Sequence, residues 1–423
     1  MEEILKVLKD LRIDIFNIEE TETETAESFF IRKNLDLKRS TRTRGWKVTV
    51  FKAFEKNGQK MLGSSTVQIH PGMSAEEIVS ALEKAFFAAG LVSNPYYELP
   101  AGQKEEPIPA AGGFAGKSLE DSLVLMAEAL FTEDNQEDVF INSAEFFMRR
   151  TDRRIVNSSG IDVAYRSYDI WGEYVVQCIV PQDVETYHQF SYREPETGAL
   201  RLAVAEALEM TRARSQAMSA PETGEYALIL SGKHVSELLN YYVGRSSAAA
   251  VYQKYSNFQV GAQVQGGDLQ GDALSIDLKA REPYSAEGIA MKDRPLMEDG
   301  VLNTLHSGAR FAWYLGIEPT GSYGCISVPT GTAPLKELKS GKYLHVLSFS
   351  DFQMNIFSGH FGGEIRLALL CDREGVRPVT GGSINGNILQ AQKQLRFSQE
   401  RFASANYEGP LAVRIEGVKV AGA

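Results

Sequence analysis

The clearest candidates for chemistry in this chain are a histidine and a glutamate three residues apart, His234 and Glu237. At that spacing both side chains lie on one face of a helix, where an imidazole and a carboxylate could share a metal ion. A hydrolytic zinc site needs three protein ligands and an activated water. Further ligands would have to come from His306, His345 or His360, which are distant in sequence. Without them, we expect His234 and Glu237 to form the polar start of an exposed helix.

Two other patterns suggest chemistry. Ser358 and His360 are two apart on a predicted strand, and Asp351 is near in sequence, so a serine nucleophile is conceivable. Because neighbours on one strand rarely meet in triad geometry, we interpret them as ordinary strand and turn residues. The tract at residues 381–387 is glycine-rich but lacks the Gly-Lys-Ser/Thr ending of a phosphate loop. It predicts a strand with a glycine bulge.

Glycine pairs interrupt short apolar runs between residues 352 and 387. This pattern predicts strands that bend past a groove. An exposed sheet edge can add an extended peptide as an extra strand, so we consider these glycines a candidate peptide groove or partner interface. The alternative is that they only relieve crowding in a curved sheet. The candidate residues are Phe357, Ser358, Gly359, Phe361, Gly362 and Gly363.

The amino-terminal half shows what looks like a duplicated α+β unit. The order helix, strands, helix is predicted at residues 1–95 and again at 118–218, with a linker rich in proline and glycine at 96–117. Residues 28–33 (SFFIRK) resemble residues 145–150 (EFFMRR). The sequence therefore predicts two similar units in tandem.

Local signals mark the ends of the helices in these units. Ser74 and Glu77 form a capping box for the first closing helix, and Gly90 stands where a left-handed helix end is expected. Ser118 is expected to cap the helix that opens the second unit.

The carboxyl-terminal region, residues 224–423, is predicted to be mainly β. A strand at residues 225–230 is followed by a helix, and alternating apolar runs continue to residue 418. Asp299-Gly300 between apolar flanks predicts a tight hairpin turn. We therefore expect an α+β fold whose carboxyl-terminal domain is a large, curved and mainly antiparallel sheet.

Charge and composition exclude several classes of protein. The formal net charge of −11 over 423 residues argues against nucleic-acid binding, and the basic tract at residues 38–44 is expected to be a solvated strand end or hairpin rim. No apolar run is long enough to span a bilayer and the amino terminus lacks a signal-peptide core, so we expect a cytoplasmic protein without membrane contact. Cys178, Cys325 and Cys371 are odd in number and far apart, which indicates reduced, buried thiols.

Three segments carry a resemblance to a known family: residues 285–305 (SAEGIAMKDRPLMEDGVLNTL), 309–324 (ARFAWYLGIEPTGSYG) and 352–387. They resemble the C-terminal domain of the TldD/TldE family, also called the PmbA or "modulator of DNA gyrase" family. Members of the TldD kind are zinc peptidases with the motif HExxxH, which this chain lacks. Where the resemblance places that motif, after the strand at 225–230, the chain reads GKHVSELL. Where it places a third ligand, a cysteine, residues 403–410 read ASANYEGP.

The resemblance implies a TldE-like subunit that is inactive alone. It would form a heterodimer with a TldD-like subunit that carries the zinc, and together they would enclose a chamber for peptide substrates. This chain would then have no catalytic residue, metal ligand or cofactor of its own. Two alternatives stay open: a peptidase with an atypical site near His234 and Glu237, and an adaptor for a protein target such as DNA gyrase, which rests on the family's name alone. Homodimer formation without the partner is also left open.

Overall fold

The computed structural model describes residues 1–110 and 112–422 and has the predicted α+β fold. The helices are α1 (Glu2–Asp10), α2 (Ala75–Ala89), α3 (Leu119–Phe131), α4 (Thr197–Gln216), α5 (Lys233–Arg245), α6 (Ala248–Tyr252), α7 (Ala309–Leu315), α8 (Leu335–Leu338) and α9 (Ile388–Ala391). The strands are β1 (Ile15–Ile31), β2 (Asn34–Lys56), β3 (Gln59–Ile69), β4 (Val139–Asn157), β5 (Asp162–Cys178), β6 (Val184–Tyr192), β7 (Gly224–Ser231), β8 (Ile276–Lys279), β9 (Arg294–Glu298), β10 (Val301–Leu302), β11 (Cys325–Ser327), β12 (Tyr343–Met354), β13 (His360–Asp372), β14 (Gly375–Val379), β15 (Ser383–Asn387), β16 (Arg396–Phe397), β17 (Arg401–Ser404), β18 (Tyr407–Pro410) and β19 (Ala412–Ala421).

The amino-terminal half forms one antiparallel sheet of unusually long strands, in the order β3-β2-β1-β4-β5-β6. Each three-strand meander is preceded and followed by a helix, α1 and α2 for the first and α3 and α4 for the second. The two meanders join where β1 pairs with β4, with Glu24 opposite Arg150. The residue match between 28–33 and 145–150 is out of register, because the first segment ends β1 at its hairpin turn and the second lies within β4.

Both helix pairs pack on the same face of this sheet. Helices α1 and α2 cover an apolar cluster that includes Ile18 and Val48, and α3 and α4 cover a second one that includes Phe146 and Met148. The centre of the opposite face is polar, with Thr21, Thr23 and Thr151, because successive residues of a strand point to opposite faces. This polar face looks toward the carboxyl-terminal domain.

The helix-covered face carries a row of ion pairs between the two apolar clusters. Glu22 on β1 pairs with Arg42 on β2, and Glu24 pairs with Arg150 on β4 through atoms 2.6 Å apart. The basic tract at residues 38–44 is solvent-exposed, as expected. It lies inside β2 and not at a strand end, and its arginines pair with glutamates of β1.

The carboxyl-terminal domain contains two sheets and not the single antiparallel sheet that we expected. The order β10-β9-β8-β11-β18-β17 forms one, and β12-β7-β19-β15-β13-β14 forms the other. Most pairs are antiparallel, but β12 pairs with β7, and β11 with β18, in parallel. Since β12 also pairs with β13, the strands β12-β7-β19-β15-β13 close into a ring. The main core lies between this ring, α5 and the second sheet.

Most of the predicted helix caps and turns are confirmed, and one is wrong. The capping box of Ser74 and Glu77 and the cap by Ser118 are present as predicted. Asp299 and Gly300 both have positive φ and form the predicted two-residue turn between β9 and β10. Gly90 was predicted wrongly, because its φ of −68° is right-handed.

Three further observations bear on the sequence expectations. Cys178 and Cys325 are buried free thiols, and Cys371 is half-buried. Within residues 1–110 and 112–422, no helix combines the length and apolarity needed to cross a membrane. The predicted linker partly pairs with the sheet, because the backbone N–H of Ile108 donates to Ala164 O of β5 at 2.9 Å.

Candidate functional site

The start of α5 contains the two candidate metal ligands that were considered from the sequence. His234 and Glu237 do meet, with Nδ1 of the imidazole 2.7 Å from Oε2 of the carboxylate. The His234 ring lies edge-on to Phe349, with centroids 4.9 Å apart, and 5.5 Å from Phe352. His234 is only 5% exposed, so the expectation of an exposed helix start is wrong for this residue. Its nitrogen is held by a carboxylate and its ring by aromatic packing.

Apolar side chains occupy the places that the remaining ligands of the family motif would take. If His234 is read as the first histidine of HExxxH, the glutamate falls on Val235 and the second histidine on Leu239. Both of these residues are 0% exposed and belong to the main core. The resemblance places a cysteine in the hairpin β17–β18. This hairpin lies beside the same helix start, because the Phe402 ring is next to the position that a Cβ on Gly232 would occupy. The residues at this place do not fit a zinc ion.

The structure does not bring the other histidines to His234. Nε2 of His306 donates to Val243 O at 2.9 Å, and Nε2 of His345 lies 3.0 Å from the Ser231 hydroxyl. Burial lowers the pKa of both, that of His345 to about 3. His360 is exposed at the start of β13. In the described part of the chain, no group of three or more His, Cys, Asp or Glu side chains could hold a metal ion.

The serine-nucleophile pattern has the geometry of an ordinary turn. The Ser358 hydroxyl accepts the backbone N–H of His360 at 3.4 Å, a contact made with the main chain and not with the imidazole. The carboxylate of Asp351 accepts a side-chain N–H of Gln353 at 2.7 Å. These partners agree with the interpretation as strand and turn residues.

The glycine-rich strand β13 has no free edge at the candidate groove. Gly362 and Gly363 pair with β12 on one side and with β15 on the other, so no peptide can add as a strand there. A Cβ on Gly363 would lie 2.5 Å from Asp351 O, so this glycine relieves backbone crowding. Phe361 is buried in the core, and Gly359, with φ +76°, closes the turn before β13. The expected edge is therefore wrong at these residues.

The exposed part of the candidate set is the turn before β13. Phe357 is 56% exposed, and its ring packs edge-to-face on that of Tyr255, which is 58% exposed, with ring centroids 5.3 Å apart. Ser358 is exposed beside them. The backbone of this turn is held in place by Arg245, whose guanidinium donates to Phe357 O at 3.3 Å. Together Phe357, Ser358 and Tyr255 form a small surface that we call the aromatic turn patch.

Sequence reasoning missed a cleft of about 960 Å³ between the two halves of the chain. We call it the interdomain cleft. One wall is the polar face of the amino-terminal sheet, with Thr21, Thr151 and Arg153. The other wall consists of the start of α7, with Arg310, and of loops of the carboxyl-terminal domain such as the β17–β18 turn at Asn406. The available signal was the alternating sequence TETET at residues 21–25 of β1, which separates threonines from glutamates onto two faces.

Direct hydrogen bonds join the two walls and fix their relative position. Nδ2 of Asn17 on β1 donates to Ala286 O at 3.1 Å. Arg193, which follows β6, donates to Arg281 O at 2.6 Å and pairs with Glu282 at 2.7 Å. These contacts are spread across the interface, so the cleft is a built feature of the fold.

The lining of the interdomain cleft is rich in cations. Seven Lys or Arg residues and four Asp or Glu residues line it among the described residues, although the whole chain carries a net charge of −11. Several cations are neutralised in place. Arg149 pairs with Asp169, and Arg281 pairs with Glu408 through atoms 2.7 Å apart.

Comparison with known proteins supports the resemblance drawn from the sequence. Residues 223–422 match the family model described as "PmbA/TldA metallopeptidase C-terminal domain". A curated "Metalloprotease" of Methanothermobacter thermautotrophicus is 22% identical over 367 residues, which is 79% of this chain and 73% of that protein.

Solved structures show the same fold over almost the whole chain. The crystal structure of TldE from Thermococcus kodakarensis aligns with a TM-score of 0.77 and 16% identity, and covers 99% of this chain and 100% of that one. A putative modulator of a DNA gyrase from Thermotoga maritima aligns with a TM-score of 0.74 and 18% identity, over 99% of each chain.

Proposed function

Because the chain carries the C-terminal domain of the PmbA/TldD family, we propose that it is a TldE-like, non-catalytic subunit of a zinc metallopeptidase complex of the TldD/TldE type. In this proposal the complex degrades or processes unfolded peptides. A TldD-like partner supplies the zinc and the catalytic residues, and this chain completes the chamber in a heterodimer.

The observation that carries the proposal is the packing at the start of α5. Val235 and Leu239, at the two positions that the motif would use, have no exposed surface. A carboxylate or imidazole placed there would lose its hydration inside an apolar core, which is costly unless a metal ion compensates it. His234 alone remains, and Glu237 already occupies its Nδ1. A single imidazole cannot hold a catalytic zinc ion.

The aromatic turn patch is the proposed contact with the partner. Aromatic side chains are enriched at the centres of protein interfaces and often contribute most of the binding free energy. Phe357 and Tyr255 present two rings in edge-to-face contact to the surface, and Arg245 bonds the backbone of both residues. Replacing Phe357 with Ala is expected to weaken the heterodimer at least tenfold without unfolding the chain.

The test separates metal content from activity. The chain, a TldD-like partner and their 1:1 mixture are each assayed for zinc by mass spectrometry and for cleavage of an unfolded peptide. We expect no stoichiometric zinc and no cleavage with the chain alone, and faster cleavage with the mixture than with the partner alone. Cleavage by the chain alone, with zinc that is lost in His234→Ala, would establish the atypical-peptidase alternative. An unchanged rate in the mixture would contradict the subunit role.

A further inference from the structure

The floor of the interdomain cleft contains a guanidinium, that of Arg153, which makes no ion-pair contact with a carboxylate among the described residues. Arg153 projects from β4 beside Thr21 of β1, its opposite residue in the strand pair. Its Nε is buried and has no hydrogen-bond partner among the described residues, and Nη1 is 3.4 Å from the Tyr165 hydroxyl, a long contact. Within the same residues no carboxylate lies within 4.0 Å of its nitrogens.

A second such guanidinium belongs to the other wall. Arg310 on α7 donates to the neutral Asn94 Oδ1 at 3.2 Å and lies over the Phe311 ring at 4.5 Å. Considering residues 1–110 and 112–422, Arg310 also has no carboxylate within ion-pair distance. One unpaired guanidinium therefore comes from each half of the chain.

Four acids line the cleft against seven Lys or Arg side chains, which leaves it with a positive surplus; the acids are Glu19, Asp169, Glu282 and Glu287. Glu287 accepts the backbone N–H of Ala309 at 2.9 Å, and burial raises the pKa of its carboxyl group. Asp169 and Glu282 are already paired with arginines. A partly buried guanidinium is usually paired with a carboxylate or phosphate, so unpaired ones in a cleft point to an anion supplied from outside.

The chemistry around the two guanidinium groups suits a peptide. A protein with a net charge of −11 repels polyanions such as nucleic acids, whereas one or two carboxylates can reach a local positive site. Threonine and serine hydroxyls from β1, β2, β4 and β5 line the floor and can bond the N–H and C=O groups of an extended chain. The volume of about 960 Å³ lies near the upper end of the usual range for ligand pockets.

We propose that the interdomain cleft binds a carboxylate-bearing peptide, with Arg153 as the principal contact and Arg310 as a second contact from the opposite wall. This inference deepens the proposed function, on which it rests for the identity of the ligand as a peptide. Guanidinium groups bind carboxylates through two parallel hydrogen bonds, so the site favours acidic side chains or a free carboxyl terminus. Neither residue touches a reacting bond, so both are binding residues.

The test measures binding to the isolated full-length chain by fluorescence anisotropy. The probes are four labelled octapeptides. The first is polyalanine with two glutamates and the second is polyalanine with two lysines. The other two contain alanine alone and have either a free or an amidated carboxyl terminus. We expect the glutamate peptide or the free-terminus peptide to bind at least tenfold more tightly than the lysine peptide, and less tightly as salt is added. Which of the two binds identifies the source of the carboxylate. The glutamate and lysine peptides carry amidated carboxyl termini, and equal binding of the glutamate, lysine and free-terminus peptides would overturn the proposal.

Variants locate the site. Arg153→Met and Arg310→Met should each weaken binding about tenfold or more, because each removes a charge-assisted pair. Arg166→Met is the matched control, since Arg166 pairs with Asp152 and is absent from the cleft lining. If Arg153→Met does not fold, Arg153→Lys keeps the charge and should still bind less tightly because it lacks the planar fork. Wild-type affinity in folded Arg153 and Arg310 variants would refute the assignment.

Competition with inorganic phosphate and with acetate shows whether the site prefers phosphate or carboxylate. A comparison of peptide binding with acceleration of cleavage distinguishes this inference from the proposed function. Inorganic phosphate that displaces the peptide at lower concentration than acetate would overturn the choice of a carboxylate ligand. Peptide binding by the isolated chain tests the cleft, whereas acceleration of cleavage in the mixture tests the subunit role. A chain that accelerates cleavage but binds no acidic peptide would contradict only the inference about the cleft.

Discussion

Replacement of His234 is the sharpest test of whether this histidine is structural. In the folded chain its ring is buried, bonded to Glu237 and packed edge-on against Phe349. His234→Ala removes the hydrogen bond, worth about 1 kcal/mol for a partly exposed partner, and the edge-to-face contact, worth about 1 kcal/mol. It also leaves a small void that costs about 1 kcal/mol. We therefore expect a loss of about 3 kcal/mol in unfolding free energy, the sum of these contributions.

His234→Phe separates the contributions. The phenyl ring keeps the packing against Phe349 but cannot bond Glu237, so the expected loss is only about 1 kcal/mol. Urea unfolding of the full chain gives the overall change, and hydrogen exchange of the amides of α5 shows whether the loss is local. Glu237→Gln is the control, because it keeps an acceptor oxygen for the imidazole.

The functional readout decides between the two roles. If His234 is structural, both variants that fold should accelerate peptide cleavage by a TldD-like partner as well as the wild type does. The reasoning is refuted if His234→Phe, with its small loss of stability, abolishes that acceleration or removes bound zinc from the chain. Such a result would assign His234 to a site and not to the core.

Further predictions concern stability. Burial holds the pKa of His345 at about 3, far below its unfolded value of about 6.5, so the unfolded state binds more protons as the pH falls below 6.5. The chain should lose about 2 kcal/mol from this residue between pH 7 and pH 5, and His345→Leu should remove that part of the pH dependence of urea unfolding. Gly363→Ala places a methyl group against Asp351 O and should lower the melting temperature, while any protein that folds still binds the partner normally. Ser74→Ala removes the capping bond to Glu77 and should cost about 1 kcal/mol in urea unfolding.

Features set by neighbouring residues could be predicted from the sequence. The capping box at Ser74 and the turn at Asp299-Gly300 depend on a few consecutive side chains and backbone angles, and both are present in the structure. The fold class followed from the alternation of apolar residues in the strands and from the helical spacing between them. Gly90 shows the limit of this approach, because glycine permits a left-handed helix end but does not require it.

Features set by long-range pairing could not be predicted. The parallel pairs β12–β7 and β11–β18 join segments more than 80 residues apart, and nothing in either segment specifies its partner. Gly362 and Gly363 looked like an exposed edge because their composition permits one, yet β15 covers the side that β12 leaves free. The burial of His234 likewise depends on Phe349 and Phe352, more than 100 residues away.

The two faces of the amino-terminal sheet differ in how their arginines are neutralised, and this difference supports an anionic ligand in the cleft. On the helix-covered face, arginines such as Arg42 and Arg150 meet glutamates of β1, so the charges of that face are neutralised across the strands. On the cleft face the residue opposite Arg153 is Thr21, and Glu19, two residues away on β1, is opposite Ile155 and makes no ion pair with Arg153 among the described residues. Since an acid at position 21 would neutralise the guanidinium at little cost in packing, its absence leaves Arg153 available to an anion from outside. A Thr21→Glu variant should therefore pair with Arg153, leave the chain at least as stable to urea, and weaken binding of the glutamate peptide about tenfold. Unchanged peptide affinity in that variant would contradict the role of Arg153.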